Sequence, residues 1–337
     1  MSCINPKISV IIPVYNASEF IEERISRVLS QEVPSEFEVI LVDDCSTDNS
    51  LQLLSRLAEN EKRLRVFHQE KNQGPAAARN RGIEESKGDF IAFLDADDYW
   101  KPGFLVKTSA FLEAHSDVVC VFTGQEHRTL SSASSIAPKC LLREHPPTKP
   151  QVLEDFFAFW HEQGGSPLCS GSLMVRAELL RRIGGQRADF RVCEDLEYWC
   201  YIALHGKMGF IPEILFVSDG ARGADGRVKL TRKQRLQRYR PRWKNAMPIQ
   251  NWASRLTATG LPIISGSSFK FVLGSIASIL IYSMIQDGRW SIAYGDFKDY
   301  RRWLPQNAVC RLLAPLSIWY PFWCLGCLML YLRERMK

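Results

Sequence analysis

No charged-then-apolar leader opens this chain, and its ten cysteines lack the short, regular spacing of a disulfide scaffold. Both absences argue against a stapled secreted domain and point to a reducing cytoplasm. A single CxxC, Cys324 and Cys327, has no second pair and lies among apolar residues, so it reads as packing rather than zinc or redox chemistry. There is no internal repeat, which excludes a solenoid. There is also no GxxxxGK[ST] loop and no GxGxxG after the first apolar run, so the fingerprints of a P-loop nucleotidase and of a hydride-transfer enzyme are missing. What remains is a chain of 337 residues, 46% hydrophobic and 24% charged, enough for one large globular domain with an appendage. Its net charge of +6 is uneven, because Arg222 to Lys244 is dense in Arg and Lys. That density predicts an anionic partner or surface.

The first two hundred residues alternate strand and helix signals. "KISVIIPVY" and "FEVILVDD" are β-branched runs of the kind buried in parallel sheets, and Glu19 to Gln31 between them carries Phe20, Ile21, Ile25, Val28 and Leu29 at helical spacing. A second helix through Leu51, Leu54 and Leu57 is expected to be capped by Asp48 or Ser46. The strand "LRVFH", a helix from Pro75 to Ser86 and the strand "DFIAFLD" complete a βαβαβαβ order, hence an α/β fold with a mostly parallel, Rossmann-like sheet flanked by helices. Thr129 to Pro150 reads as a low-structure loop.

In such a sheet, ligands bind beyond the carboxyl ends of the strands, where Asp43, Asp44, Asp95, Asp97 and Asp98 all fall. Crowded carboxylates repel and are costly to desolvate, so a cleft cluster calls for a cation, most simply Mg²⁺ or Mn²⁺ on oxygen ligands. The same acids would also serve as helix caps or solvated charges. In "NQGPAAARNRG", Gly74 and the alanines behind it let a ligand approach a helix start, and Arg79 lies one turn on; the alanines suit plain helix packing equally well. In "VCEDLEYWCYIALHG", Glu194 and Asp195 precede an apolar helix, a setting that keeps a carboxylate ionised and able to accept a proton, and also a common capping pattern.

Taken in order, "SVIIPVYNASEFIEERISRVLSQ", "VILVDDCSTDNS", "NQGPAAARNRG", "FLDADD" and "EDLEYW" resemble the family 2 glycosyltransferases of GT-A fold, over about residues 7 to 218. The resemblance implies an inverting transferase that uses a nucleotide-diphosphate sugar, with UDP as the expected nucleotide. It places Pro13, Tyr15 and Asp44 at the nucleoside, with Asp43 beside them and Gly74 and Arg79 on the donor side. Asp95, Ala96 and Asp97 form the DxD, with Asp97 meeting Mn²⁺ or Mg²⁺, and Asp195 matches the catalytic base. In-line attack by a base-activated hydroxyl needs no carboxylate nucleophile. The QxxRW of processive members is replaced by "RKQRLQRYRPRW", which favours transfer of a single sugar over a processive polysaccharide synthase. Arg222 is a candidate diphosphate contact in that basic stretch. A catalytically silent nucleotide-sugar-binding protein is the alternative from another class, and Asp97 with Asp195 argues against it.

The organisation expected is a catalytic domain over residues 1–220 (donor side to about 125, acceptor side 126–220), a basic linker or active-site loop over 221–250, and a helical, membrane-associating region over 251–337. Its two apolar runs, "FKFVLGSIASILIYSMIQ" and Leu312 to Leu332, flank Arg289, Lys298, Arg301, Arg302 and Arg311, a basic loop that a two-span hairpin would place outside. Pro315, Pro321 and scattered aromatics break the second run, so attachment at the cytoplasmic face of an anionic membrane is expected, with a single span as the alternative. The expected partners are a nucleotide-sugar donor and a lipid-linked or glycan acceptor, with no nucleic acid; a homodimer is left open.

Overall fold

The computed structural model describes residues 7–33, 36–128, 134–190, 192–219, 246–305, 308–318 and 320–335. Arg222 and most of the basic stretch lie outside the described residues. The chain divides into two compact units: Met1–Phe156, Ser166–Ala188 and His205–Thr231 form one, and Phe157–Gly165, Asp189–Leu204 and Arg232–Lys337 the other.

The first unit is built on a ten-stranded sheet. β1 (Ile8–Val14) pairs in parallel with β2 (Phe37–Asp43) and with β4 (Phe90–Phe93), and β3 (Leu64–His68) extends the parallel part beyond β2. Every residue of β2 and β4 is buried, as continuous apolar runs covered on both faces require. The order then continues through β9 (Leu173–Arg176), β6 (Val118–Arg128) and β10 (Lys207–Ser218) to the short β5 (Tyr99–Trp100). β9 runs antiparallel to β4 and to β6. The helices expected from periodicity are present as α1 (Ile21–Leu29), α2 (Ser50–Asn60) and α3 (Pro75–Glu85); α1 and α3 stop short of their expected ends, and α2 runs on past Leu57. α3 lies close on β1: a Cβ on Gly82 would meet Ile11 at 2.3 Å, and Ala76 and Ala78 are buried. Those two alanines are therefore packing residues.

Two expectations need correction. The stretch from Thr129 to Pro150 is not all loop, since β7 (Ser134–Ala137) pairs antiparallel with Gln125–Arg128 of β6 and a helical turn follows at Lys139–Leu142. An edge strand drawn out by its neighbour's free backbone groups carries little apolar signal. The cap of α2 is also indirect: Asp48 Oδ1 accepts from the Ser50 amide at 2.9 Å, while Ser46 Oγ accepts from the Asn16 amide at 3.0 Å and caps nothing.

In the second unit α7 (Glu194–Ala203) is followed, after the undescribed stretch, by the short helices Ile249–Trp252 and Ser254–Thr257 and then by longer ones at Ser267–Gln286 and Trp290–Tyr300. Ser267–Gln286 is long and apolar enough to cross a membrane, yet 61% of its most apolar window is buried within the protein. The last apolar run is split into helices Ala308–Leu316 and Tyr320–Arg335, with Pro321 in the first turn of the second, where its missing N–H costs nothing.

Asp296 on helix Trp290–Tyr300 accepts the amide of Ile249 at 2.9 Å. Burial, reinforced by Asp299 and opposed by that amide, pushes its carboxyl up from 3.8 to about 6. The folded state therefore holds a proton that the unfolded chain has lost across that interval, so stability falls as pH rises between the two values. Asp296→Asn should flatten this part of the melting-temperature profile between pH 4 and 6.5. An unchanged slope would remove Asp296 as its source.

Candidate active site

The parallel register puts Val14 opposite Asp43 and Ile11 opposite Phe93, so the chain leaves β1, β2 and β4 on the same edge of the sheet. Tyr15, Asp44 and the Asp95–Asp98 turn stand together there. Tyr15 is the exposed one, 42% accessible although large and aromatic. Its neighbour Asn16 takes a positive φ of 50° and accepts the Thr47 amide at 2.8 Å, and Ser50 Oγ accepts the Ala17 amide at 2.8 Å. These bonds stitch the loops after β1 and β2 into one rim. Asn16, Thr47 and Ser50 were not singled out from the sequence, because polar loop residues carry no periodic signal.

The two acids that end β2 face different ways. Asp43 is fully buried and bonds His68 Nδ1 at 2.9 Å and the Ser46 amide at 3.2 Å, so it organises the loop beneath the rim. Asp44 accepts the amides of Gln73 and Gly74, both at 2.7 Å, and the Gln69 side chain at 2.7 Å. Its carboxylate thus fastens the "NQG" turn to the end of β2. Gly74 has φ 89°, a conformation that disfavours any side chain, and it delivers Pro75 as the first residue of α3. A helix start held this way presents amide groups and the positive end of the helix dipole toward the same edge.

Arg79, one turn into α3, is only 3% exposed and donates through Nη2 to Asp95 Oδ1 at 2.6 Å. The partner of this guanidinium is thus the first acid of the DxD. Nη1 of the same guanidinium donates to Gln186 Oε1 at 3.3 Å. Gln186 is itself held by a reciprocal pair with Asn80, amide to Oδ1 at 2.7 Å and Nδ2 to carbonyl at 2.9 Å. A chain of bonds from Gln186 through Arg79 to Asp95 sets the side chain on which a ligand would depend. Gln186 had no sequence signal beyond following a Gly-Gly pair.

Asp98 is buried, unlike Asp95 and Asp97, and accepts the Asp219 amide at 3.0 Å. Burial first, then the charges of Asp97 and Asp95, push its carboxyl well above the ordinary range against the opposing bonds from Asp219 and Ser218. Asp219 in turn pairs with Arg24 at 2.9 Å, and Arg24, Arg27 and Arg128 lie over the ring of Tyr99, with Arg27 at 4.5 Å from its centroid. The end of β10 is thereby tied to the acidic turn. Among the described residues, no three His, Cys, Asp or Glu side chains enclose a metal by themselves. Mg²⁺ or Mn²⁺ bound through one or two carboxylates, with phosphate oxygens and water completing the shell, requires no such cage, and the repulsion among Asp95, Asp97 and Asp98 is what a cation relieves. Asp97 and Asp95 fit that role.

Residues 9–180, just over half of the chain, match the family described as Glycosyl transferase family 2. The chain belongs to that family. TuaG of Bacillus subtilis, named for teichuronic acid biosynthesis, is 42% identical over 118 residues, which are 35% of this chain and 45% of TuaG. The match therefore spans less than half of that relative. Among solved structures, the fold resembles Staphylococcus aureus TarS 1–349 in complex with UDP-GlcNAc, with TM-score 0.64 at 18% identity over 96% of this chain and 89% of that one. It also resembles the mannosyltransferase PcManGT of Pyrobaculum calidifontis in complex with GDP-Man and Mn²⁺, with TM-score 0.56 at 17% identity over 98% and 88%. The fold is accordingly GT-A.

The remaining candidate, Asp195, belongs to the second unit. It stands in the first turn of α7 with Glu194 and Glu197, and its Oδ1 accepts the Leu196 amide at 2.8 Å. The helix dipole there favours the ionised carboxylate.

Proposed function

We propose that the protein is an inverting glycosyltransferase that moves one sugar from a nucleotide-diphosphate sugar, a UDP-sugar by preference, to a hydroxyl of a lipid-linked or cell-surface glycan. The observation that carries this is the DxD turn at the end of β4, where Asp95 is held by the buried Arg79 and Asp97 sits two residues on. In this reading Tyr15 and Pro13 flank the base of the nucleoside, and Asp44 shapes the turn through Gly74 against which the ribose and diphosphate lie. When bound, Mn²⁺ or Mg²⁺ on Asp97 supplies positive charge against the leaving diphosphate. Asp195 takes the proton of the acceptor hydroxyl as that oxygen attacks the anomeric carbon from the face opposite the departing nucleotide. The bond from the anomeric carbon to the diphosphate breaks as the new glycosidic bond forms, and the anomeric centre inverts. The solved relatives' complexes with UDP-GlcNAc and with GDP-Man and Mn²⁺ support the donor class and the metal. A thermal-shift screen of nucleotide sugars tests the reading: a UDP-sugar should raise the melting temperature with Mn²⁺ and far less with EDTA. No shift with any nucleotide sugar would overturn it.

The cytoplasmic face of a membrane is the proposed location. On helix Tyr320–Arg335, Phe322, Leu325, Met329 and Leu332 are each about half exposed and fall on one stripe, while Trp323, Cys327 and Leu330 are buried on the opposite side. An apolar stripe with the exposed Arg333 at its end suits the interface of an anionic bilayer. The full chain should pellet with vesicles containing anionic lipid and be partly released by high salt. Failure to pellet would remove the membrane from this proposal.

A further inference from the structure

Glu197, two residues after Asp195, has no solvent exposure. A buried carboxylate needs a close partner, and Arg255 provides a fork: Nε donates to Oε1 at 2.9 Å and Nη2 donates to Oε2. The same guanidinium lies 4.0 Å from the ring centroid of Tyr201 on α7. Three residues earlier, the fully buried Trp252 donates its indole N–H to the carbonyl of Cys193 at 3.0 Å. That carbonyl is the first acceptor of α7, since it also takes the Glu197 amide at 3.1 Å. Cys193 holds φ at 57°, a left-handed conformation that a residue with a side chain adopts at a cost and keeps only where its surroundings enforce it. The segment that carries Trp252 and Arg255 is anchored in turn, through the Ile249 amide on Asp296.

Residues 193 and 197 bracket Asp195 in the chain, and each is gripped by one of these two side chains. We propose that Trp252 and Arg255 are positioning residues for Asp195: they hold the strained start of α7 so that the carboxylate meets the acceptor hydroxyl in one orientation. The inference rests on the reading of Asp195 as the base. Misplacement of a reacting group by about an ångström costs on the order of a hundredfold in rate, so a cap that relaxes out of its left-handed turn is enough to slow transfer without touching donor binding. The sequence pattern hides this, because "NWASR" lies beyond the family match and far from "EDLEYW".

Trp252→Phe deletes the indole N–H and keeps an aromatic ring, and Arg255→Lys keeps the charge but loses the fork. In the full-length protein both are expected to speed hydrogen exchange of the amides of residues 194–198 by about tenfold or more, while β1, β2 and β4 keep their protection. With UDP-GlcNAc as probe, UDP release should fall about tenfold in kcat with KM for the donor within about twofold, and the acidic limb of the pH profile should move. In an Asp195→Asn background neither substitution should cause a further loss, since groups that act through one residue are not additive. Wild-type exchange in α7 with wild-type kcat in both variants would overturn the proposal, as would losses that multiply on Asp195→Asn. Wild-type turnover by Asp195→Asn alone would instead sink the base assignment, and the exchange rates would still decide whether these two side chains hold α7.

Discussion

Replacing Asp195 with asparagine is expected to lower sugar transfer by about a hundredfold or more while leaving donor affinity within a few-fold of wild type. The substitution preserves size and leaves an oxygen able to accept the Leu196 amide, which now bonds Oδ1 at 2.8 Å, so the start of α7 should survive. What disappears is the capacity to take up a proton. An acceptor hydroxyl attacking without a base must release its proton late, and the barrier rises accordingly. Calorimetry of UDP-sugar binding, set beside release of UDP in the presence of acceptor, separates the two quantities. Turnover within a few-fold of wild type would remove Asp195 from the chemistry. The same pair of measurements distinguishes an enzyme from a silent binding protein, because a binder shows affinity in the wild type with no turnover on any acceptor pool.

Asp97→Ala should abolish the metal-dependent part of donor binding. Asp97 is the second acid of the DxD, and its carboxylate is the kind of oxygen ligand a hard cation takes. Without it, the two charges of the diphosphate approach Asp95 with no compensating ion. The expected result is a UDP-sugar affinity that is the same in Mn²⁺ and in EDTA, and weak in both. Equal affinity for wild type and variant in Mn²⁺ would take Asp97 out of the site. Removing Asp97 also removes one of the two charges that raise the carboxyl of Asp98, which relieves part of the repulsion in the turn. A melting temperature at or above that of the wild type would separate this loss of binding from unfolding.

The sequence by itself determined the α/β class, the order of the first elements and the DxD turn, because parallel strands buried on both faces leave continuous apolar runs and the motifs stand where those runs end. It located Asp95, Asp97 and Arg79 as separate candidates. The pairing of Arg79 with Asp95, its link to Gln186, and the division of labour between a buried Asp43 and a loop-fastening Asp44 were decided by tertiary structure. Each depends on which atoms meet across distant positions, and a hydrogen bond between residues 107 apart, as between Arg79 and Gln186, leaves no local period to read. The same holds for β7, which exists because β6 offers it an edge. Trp252 and Arg255 are the clearest case. Nothing in "NWASR" marks it as structure for a helix that begins at Glu194, and only the burial of Glu197 together with the left-handed turn at Cys193 shows why those side chains are required there. Local pattern records which face of an element is apolar, while the partner of a buried charge is chosen by the fold that buries it.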